Sequence, residues 1–314
     1  MYDIITITLN PALDKSTFVN QVRPEKKMRC KNPYYEPGGG GVNVSRAIKK
    51  LGGTSCAWFL SGGPSGEILC DLLRKEGVDF KAIQIKDWTR ENLMVMEENT
   101  GNQFRFGMPG PKVAEEEWRQ CITWLEEMAD DALPKYVVAS GSLPPGVPND
   151  FYLQVAEIAN RRGFRLVVDT SGKALVKAAG EGVYLLKPNM VELPSLVGKE
   201  EVSALEQELL AMQVLNEGKC QVLVVSLGPR GAMLATKEGN ISYIVSPAVK
   251  QKSAVGAGDS MVAGMVLSLI KGCSLEEVVR YGVAAGTAAT MTPGSQLCKK
   301  EDTEEIYQWL LEHK

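Results

Sequence analysis

The sequence predicts an α/β fold, a mainly parallel sheet with helices on both faces. Short Val-, Leu- and Ile-rich runs are apolar at nearly every position, as strands buried on both sides must be, and amphipathic stretches separate them. Two windows, residues 16–36 and 86–109, instead contain short segments that alternate polar with apolar residues. That pattern suits strands with one wet and one dry face, read as a small antiparallel β lid leaning out of the main sheet, with a pair of irregular edge strands as the alternative.

The elements follow in chain order. IITITL is a buried strand that ends at the turn NPALD. Residues 42–51 form a helix whose Val44, Ala47, Ile48 and Leu51 share one face, and Gly52–Gly53 stops it. SCAWFLSGG is a second strand and GEILCDLLRKEG a second helix. Further strand-then-helix units are expected at YVVASG with 149–163, at RLVVDTSG with 172–180, and at VLVVSLGPRG. In the lid, Phe104, Phe106 and Met108 alternate with Gln103, Arg105 and Gly107 beyond the turn NTGN. Three helices close the chain, near 257–271, 274–291 and 302–312. With no repeat and no linker, residues 1–314 read as a single domain carrying its lid.

Composition removes several function classes. Of 314 residues, 44% are hydrophobic and 23% charged, and the net charge is −3, so nothing global draws the chain to nucleic acid or an anionic membrane. The single histidine is His313, which argues against Ser-His-Asp, Cys-His and histidine-metal chemistry. A general base must then come from another residue type, with Asp and Glu the leading candidates. Seven cysteines are scattered without a CxxC pair, and Cys56 and Cys70 sit inside apolar runs as small core residues. The N-terminus lacks a secretory h-region, and the most apolar stretch, 261–270, falls short of the roughly 20 residues a membrane span needs. A cytoplasmic chain is the expectation.

The segment SAVGAGDSMVAG is the most informative. Its glycines let backbone N–H groups converge on an anion at a helix N-terminus. Asp259 directly after them can take a proton from an attacking hydroxyl, or simply begin the helix. PGGGGVNVSR brings four glycines and Asn43 to another helix start. Neither GxGxxG nor GxxxxGK[ST] fits, because Val44 stands where the former needs glycine and the latter is missing. NPALD, SGSLPPG and KPNMVE fall at strand ends, where sheets of this class bind ligands. There Asp14 can accept sugar hydroxyls, while Lys187, Asn189 and Glu192 can position nucleotide phosphates and the waters of a Mg²⁺ ion. Lys27, Arg29, Arg90 and Arg105 put cationic groups suited to a phosphate dianion on the lid. Each segment alone also suits an ordinary turn, cap or solvated face.

Together, GGGGVNVSRAIKKLGG, KPNMVE and AVGAGDSMVAG in this order resemble the PfkB/ribokinase superfamily of sugar kinases along essentially the whole chain. TLNPALD and SGSLPPG are similar to the branch that phosphorylates sugar phosphates. EPGGGGVNV, KDWTREN and GSQLCKKEDTEEIY match the part of it that takes fructose 6-phosphate to fructose 1,6-bisphosphate. Fructose 1-phosphate and tagatose 6-phosphate remain alternative acceptors, and a non-catalytic sugar-phosphate or nucleotide sensor is the alternative of another class. The resemblance implies a ribokinase-like α/β/α fold, ATP and Mg²⁺ as cofactors, a monovalent cation such as K⁺, and a homodimer built through the β lid. It implies Asp259 as base and Gly256 as part of the catalytic turn, with the amides of Ala257, Gly258 and Asp259 forming the anion hole. Asp14, Lys27, Gly39, Asn43, Arg90, Arg105 and Ser142 would hold the sugar phosphate. Lys187, Asn189, Glu192, Ser226, Gly228 and Gly231 would line the nucleotide side, with Glu192 reaching Mg²⁺ through water. Ser253, Val255, Ala289 and Gly294 would offer carbonyls to the monovalent cation.

Overall fold

The computed structural model describes residues 2–199, 206–294 and 296–313. The first part of the chain runs β1 (Ile4–Thr8), β2 (Ala12–Val19), β3 (Tyr34–Gly38), α1 (Gly40–Lys50), β4 (Cys56–Ser61), α2 (Gly63–Glu76) and β5 (Asp79–Gln84). It continues through β6 (Arg90–Glu97), β7 (Gln103–Phe106), α3 (Glu115–Glu126), β8 (Tyr136–Ser140), α4 (Phe151–Arg162), β9 (Arg165–Asp169) and α5 (Gly172–Ala178). The last part holds β10 (Val183–Leu186), α6 (Gln207–Asn216), β11 (Val222–Ser226), β12 (Ala232–Thr236), β13 (Ile241–Ile244), α7 (Ala257–Ile270), α8 (Leu275–Thr290) and α9 (Lys300–Glu312).

Nine strands form one sheet in the order β13-β12-β11-β10-β9-β8-β1-β4-β5, parallel from β5 to β11. Successive residues of each central strand serve opposite faces, which is why the runs are apolar throughout. Val137, Leu166, Val168 and Leu223 pack under α3, α4, α5 and α6. Val138, Val167, Val222 and Val224 pack under α1, α7 and α8. The α/β/α layering expected from the sequence is therefore present.

One expected unit differs. VLVVSLGPRG does not lead into a helix: after β11 a 3₁₀ turn at Gly228–Arg230 reverses the chain, and β12 and β13 return antiparallel along the sheet edge. The stretch between β12 and β13 contains Gly239 at φ 86°, with Thr236 N–H donating to the Asn240 carbonyl, so a hairpin forms where a helix was expected.

A second sheet, β3-β2-β6-β7, makes the lid. Its outer pairs are antiparallel and its central pair, β2 with β6, is parallel, because both strands leave the main sheet in the same direction. β2 begins at Ala12, so Asp14 belongs to this sheet.

The first half of the chain proceeds outward from β1 through β4 to β5, and the second half starts at β8 on β1's other side. Between β1 and β8 the order reverses, and in open parallel sheets the crevice beyond such a point is where ligands bind. α1 starts there. A Cβ on Gly40 would lie 2.3 Å from the Ser140 hydroxyl and 2.7 Å from the Gly141 nitrogen, so only glycine lets the helix start sit this deep.

Candidate functional site

The crevice is assembled from the carboxyl ends of the central strands and from the start of α7. Gly256 precedes α7 in the left-handed region at φ 73°, and a Cβ on it would meet the Leu297 side chain at 2.4 Å. No side chain caps this end of the helix. The first N–H groups of any helix lack intrahelical acceptors: that of Ala257 turns back to the Ala254 carbonyl at 3.5 Å, and those of Gly258 and Asp259 are free to meet an anion. α7 itself is buried all round from Ser260 to Leu269, which fixes the direction in which those groups point.

Asp259 lies in the first turn of α7, and its Oδ2 accepts a hydrogen bond of 2.9 Å from Asn43 Nδ2 on α1. Withdrawal from bulk water and the nearby Asp169 carboxylate push its pKa up to about 6, against the pull of Asn43 and Lys187. Such a carboxyl is mostly ionised at pH 7 yet basic enough to accept a proton.

Lys187, just beyond β10, is buried and pairs with Asp169 at the end of β9, Nζ to Oδ1 3.0 Å. Burial disfavours its charge, but Asp169, with Asp259 and Glu192 beyond, outweighs this and holds the ammonium above the usual lysine value. A Cβ on Gly258 would stand 3.7 Å from the ammonium, so the cation borders the free N–H groups. Glu192 Oε2 accepts from the Asn189 N–H at 2.8 Å, and Asn189 Oδ1 accepts from the N–H groups of Val191 and Glu192. Asn189 bridges to Ser226, whose N–H donates to the Pro188 carbonyl, which brings KPNMVE beside SLGPRG. Gly228 opens the 3₁₀ turn that follows, and Gly231 ends it.

On the lid side, Asp14 Oδ1 accepts from Asn92 Nδ2 at 2.8 Å. Burial raises the Asp14 carboxyl, and Asn92 and Arg90 partly offset the rise. Arg90 donates to the main-chain carbonyls of Asn10, Pro11 and Met108. Ser142 accepts from Asn10 Nδ2 at 3.0 Å, and Gly39 caps α1 while its carbonyl accepts the Asn43 N–H. A cleft of about 360 Å³ opens between the lid and the α7 approach, lined by Asp14, Asn92, Met94, Arg105 and Val255. Lys27 stands exposed on the loop between β2 and β3 and does not line this cleft.

Ser253 N–H donates to the Thr290 carbonyl, which sets the α7 approach against the end of α8. Gly294 lies near Met94 and Glu36 of the lid. The Ala289 carbonyl already accepts both the hydroxyl and the N–H of Thr292, so a cation there would have to displace one of them.

Four participants escaped the sequence reading. Asp169 ends a buried strand, the position already used to single out other segments, and was legible on that ground. Asn92, Arg46 and Glu76 carry no such signal, since each matters only through the side chain it touches.

The model of the pfkB family of carbohydrate kinases matches residues 1–302. The chain belongs to that family. It is 47% identical over 311 residues, 99% of each chain, to the ATP-dependent 6-phosphofructokinase isozyme 2 of Escherichia coli strain K12. It is 32% identical, over 98% of this chain and 97% of the other, to the 1-phosphofructokinase of Bacillus subtilis strain 168. Among solved structures, E. coli phosphofructokinase-2 in complex with potassium superposes with a TM-score of 0.93 at 46% identity, covering 99% of this chain and 100% of that one. The same enzyme with fructose-6-phosphate gives 0.90 at 45% identity, with the same coverage. Arabidopsis thaliana ribokinase, 16% identical with a TM-score of 0.76 over 98% and 99% of the two chains, shares the fold, which is thus ribokinase-like.

Proposed function

We propose that this pfkB-family kinase is an ATP-dependent 6-phosphofructokinase, a single domain with its lid that converts fructose 6-phosphate to fructose 1,6-bisphosphate. The observation that carries the chemistry is Asp259, raised to about 6 and tethered by Asn43 at an uncapped helix start beside Lys187. The choice of sugar rests on the near full-length likeness to the E. coli isozyme.

In this reading Asp259 removes the proton from the sugar's primary hydroxyl as its oxygen attacks the γ-phosphorus. The bond to the β-bridging oxygen breaks, and ADP leaves with the electron pair. The N–H groups following Gly256 stabilise the charge on the transferred group, and Lys187 neutralises charge beside them. Asp14, Asn43, Gly39 and Ser142 bind the sugar, Arg90 and Arg105 hold its phosphate, and Lys27, on a loop outside the cleft, would reach toward both substrates. Asn189, Ser226, Gly228 and Gly231 line the nucleotide.

The donor set fits Mg²⁺ held mainly through phosphates and water. Glu192 is a half-buried carboxylate facing the same lysine, and no group of three or more His, Cys, Asp or Glu able to hold a metal occurs among the described residues. Mg²⁺ supplies charge neutralisation on the nucleotide. Carbonyls of Ser253, Val255 and Gly294 suit a monovalent cation, which Ala289 joins only by releasing Thr292.

The lid leaves Tyr35 and Phe106 39% and 48% exposed, and a homodimer through this sheet is part of the proposal. E. coli phosphofructokinase-2 has a tetrameric inhibited form, so light scattering with and without MgATP decides the assembly. A cytoplasmic site of action fits the absence, among the described residues, of any helix long and apolar enough to cross a membrane, and the seven free cysteines.

Substrate choice is tested by ADP release with MgATP and fructose 6-phosphate, fructose 1-phosphate or tagatose 6-phosphate, compared as kcat/KM. The proposal expects a clear preference for fructose 6-phosphate. Preference for fructose 1-phosphate would align the chain with its B. subtilis relative, and no turnover would make it a sensor.

A further inference from the structure

We propose that Arg46 is a positioning residue for the base, fixing which end of the Asn43 amide meets Asp259 and tying that orientation to the end of a lid strand. The inference rests on the reading of Asp259 as base. Arg46 is 2% exposed and lies one helical turn beyond Asn43 on α1, so the two side chains share a face. Its Nη1 donates to Asn43 Oδ1 at 3.2 Å and to the Pro37 carbonyl at 2.7 Å. Nε and Nη2 donate to Glu76 Oε2 and Oε1, both at 2.7 Å.

The donor inventory settles the geometry. A guanidinium has no acceptor, so the amide end facing Arg46 must be oxygen. The NH₂ end then faces Asp259, where it donates to Oδ2. Neither arrangement survives an amide flip, which would set Oδ1 against the carboxylate and NH₂ against the guanidinium. Arg46 cannot turn away, because the paired bonds to Glu76, at the end of α2, hold its plane. Pro37 lies in β3, so the same cation grips the lid strand where it enters the glycine segment.

The groups facing Asp259 are Asn43 from α1, Asp169 at the end of β9, Lys187 beyond β10 and Asp14 of β2. Of these, Asn43 and Lys187 favour the ionised base, and Arg46 controls the first. Around Arg46 itself stand Glu76, Glu36 of β3 at 3.9 Å, and the buried Asp14 carboxyl of β2, which the Arg46 charge pulls down.

The experiment is the pH profile of kcat, at saturating MgATP and fructose 6-phosphate, for wild type, Arg46→Met, Arg46→Lys and Glu76→Gln, with Tm measured for each. Substrate ionisation is common to all four, so a displaced limb belongs to the enzyme. Arg46→Met is expected to lower kcat at pH 7 by about 10- to 100-fold and to move the acid limb toward higher pH, so that part of the loss is recovered at pH 8–9. Glu76→Gln, which leaves Arg46 in place but loosens its plane, moves the limb less in the same direction, and Arg46→Lys falls between. A uniform loss at every pH, or an unmoved limb, would overturn the proposal and leave Arg46 a structural residue. If Arg46→Met does not fold, the other two variants decide by the same criterion. Near-normal turnover in Asp259→Asn would instead sink the base reading itself, whatever the Arg46 profiles show.

Discussion

The floor of the crevice and the lid above it carry charges of the same kinds in opposite states. On the floor, Lys187 is already paired with Asp169, Asp259 with Asn43, and Arg46 with Glu76, all at 2.7–3.0 Å. On the lid, Arg105 and Lys27 are exposed, and only Arg90, held by three main-chain carbonyls, is fixed like the floor. Groups that are held before the ligand arrives cost no reorganisation during the reaction, which is the condition for stabilising a transition state. Groups that are solvated until the ligand arrives contribute chiefly to binding it, because their pairing and its entropy cost are settled together. The floor should therefore govern kcat and the lid KM.

The largest expected effect breaks the floor. Asp259→Asn should lower kcat by 10³-fold or more, the upper part of the general-base range, while the dissociation constants of both substrates change little. Single-turnover kinetics alongside equilibrium binding would check this, and comparable losses in both would erase the distinction.

Next comes Arg105→Ala. It should raise KM for the sugar phosphate by about 10- to 100-fold with kcat kept within a few-fold, as expected of a charge-assisted contact to a phosphate. An equal fall in kcat would show that the lid, too, acts only in the transition state.

The smallest effect sharpens the comparison through stability. The Asp259 carboxyl titrates higher in the folded chain, about 6, than in an unfolded one, near 3.9. The folded state therefore binds the proton more tightly, and holding this carboxylate ionised costs stability that grows as pH rises from about 4 to 6 and is constant above. Asp259→Asn should melt a few degrees above wild type at pH 8, and the advantage should vanish near pH 4. Arg105→Ala, changing an exposed group, should leave Tm unchanged at both.

What was legible in the sequence divides along the same line. The central strands announced themselves because a segment apolar at every position has few alternatives to burial on both faces. Asp259, Asn43 and Lys187 were legible because glycine runs and strand ends mark where backbone can approach a ligand. Arg46 was not, since an arginine between Ser45 and Ala47 looks like any solvated helix position until the fold brings Glu76 to it. The β12–β13 hairpin was hidden by a different cause. AMLAT and ISYI are too short to display a period, and the turn between them was the only readable sign.

The junction between β3 and α1 has a mechanical consequence. The lid strand ends at Gly38 and the helix bearing Asn43 begins at Gly40, leaving one residue between them, with the Pro37 carbonyl pinned from behind. The joint is all glycine, but Gly38 is packed on Asp14, Gly39 on Pro11 and Thr8, and Gly40 on Ser140, which leaves it little room to bend. A swing of the small sheet would therefore be felt at the first turn of α1. Lengthening the joint by two or three glycines would let the sheet move while the helix stayed still, uncoupling the lid from Asn43 and from the Asp259 carboxylate it holds.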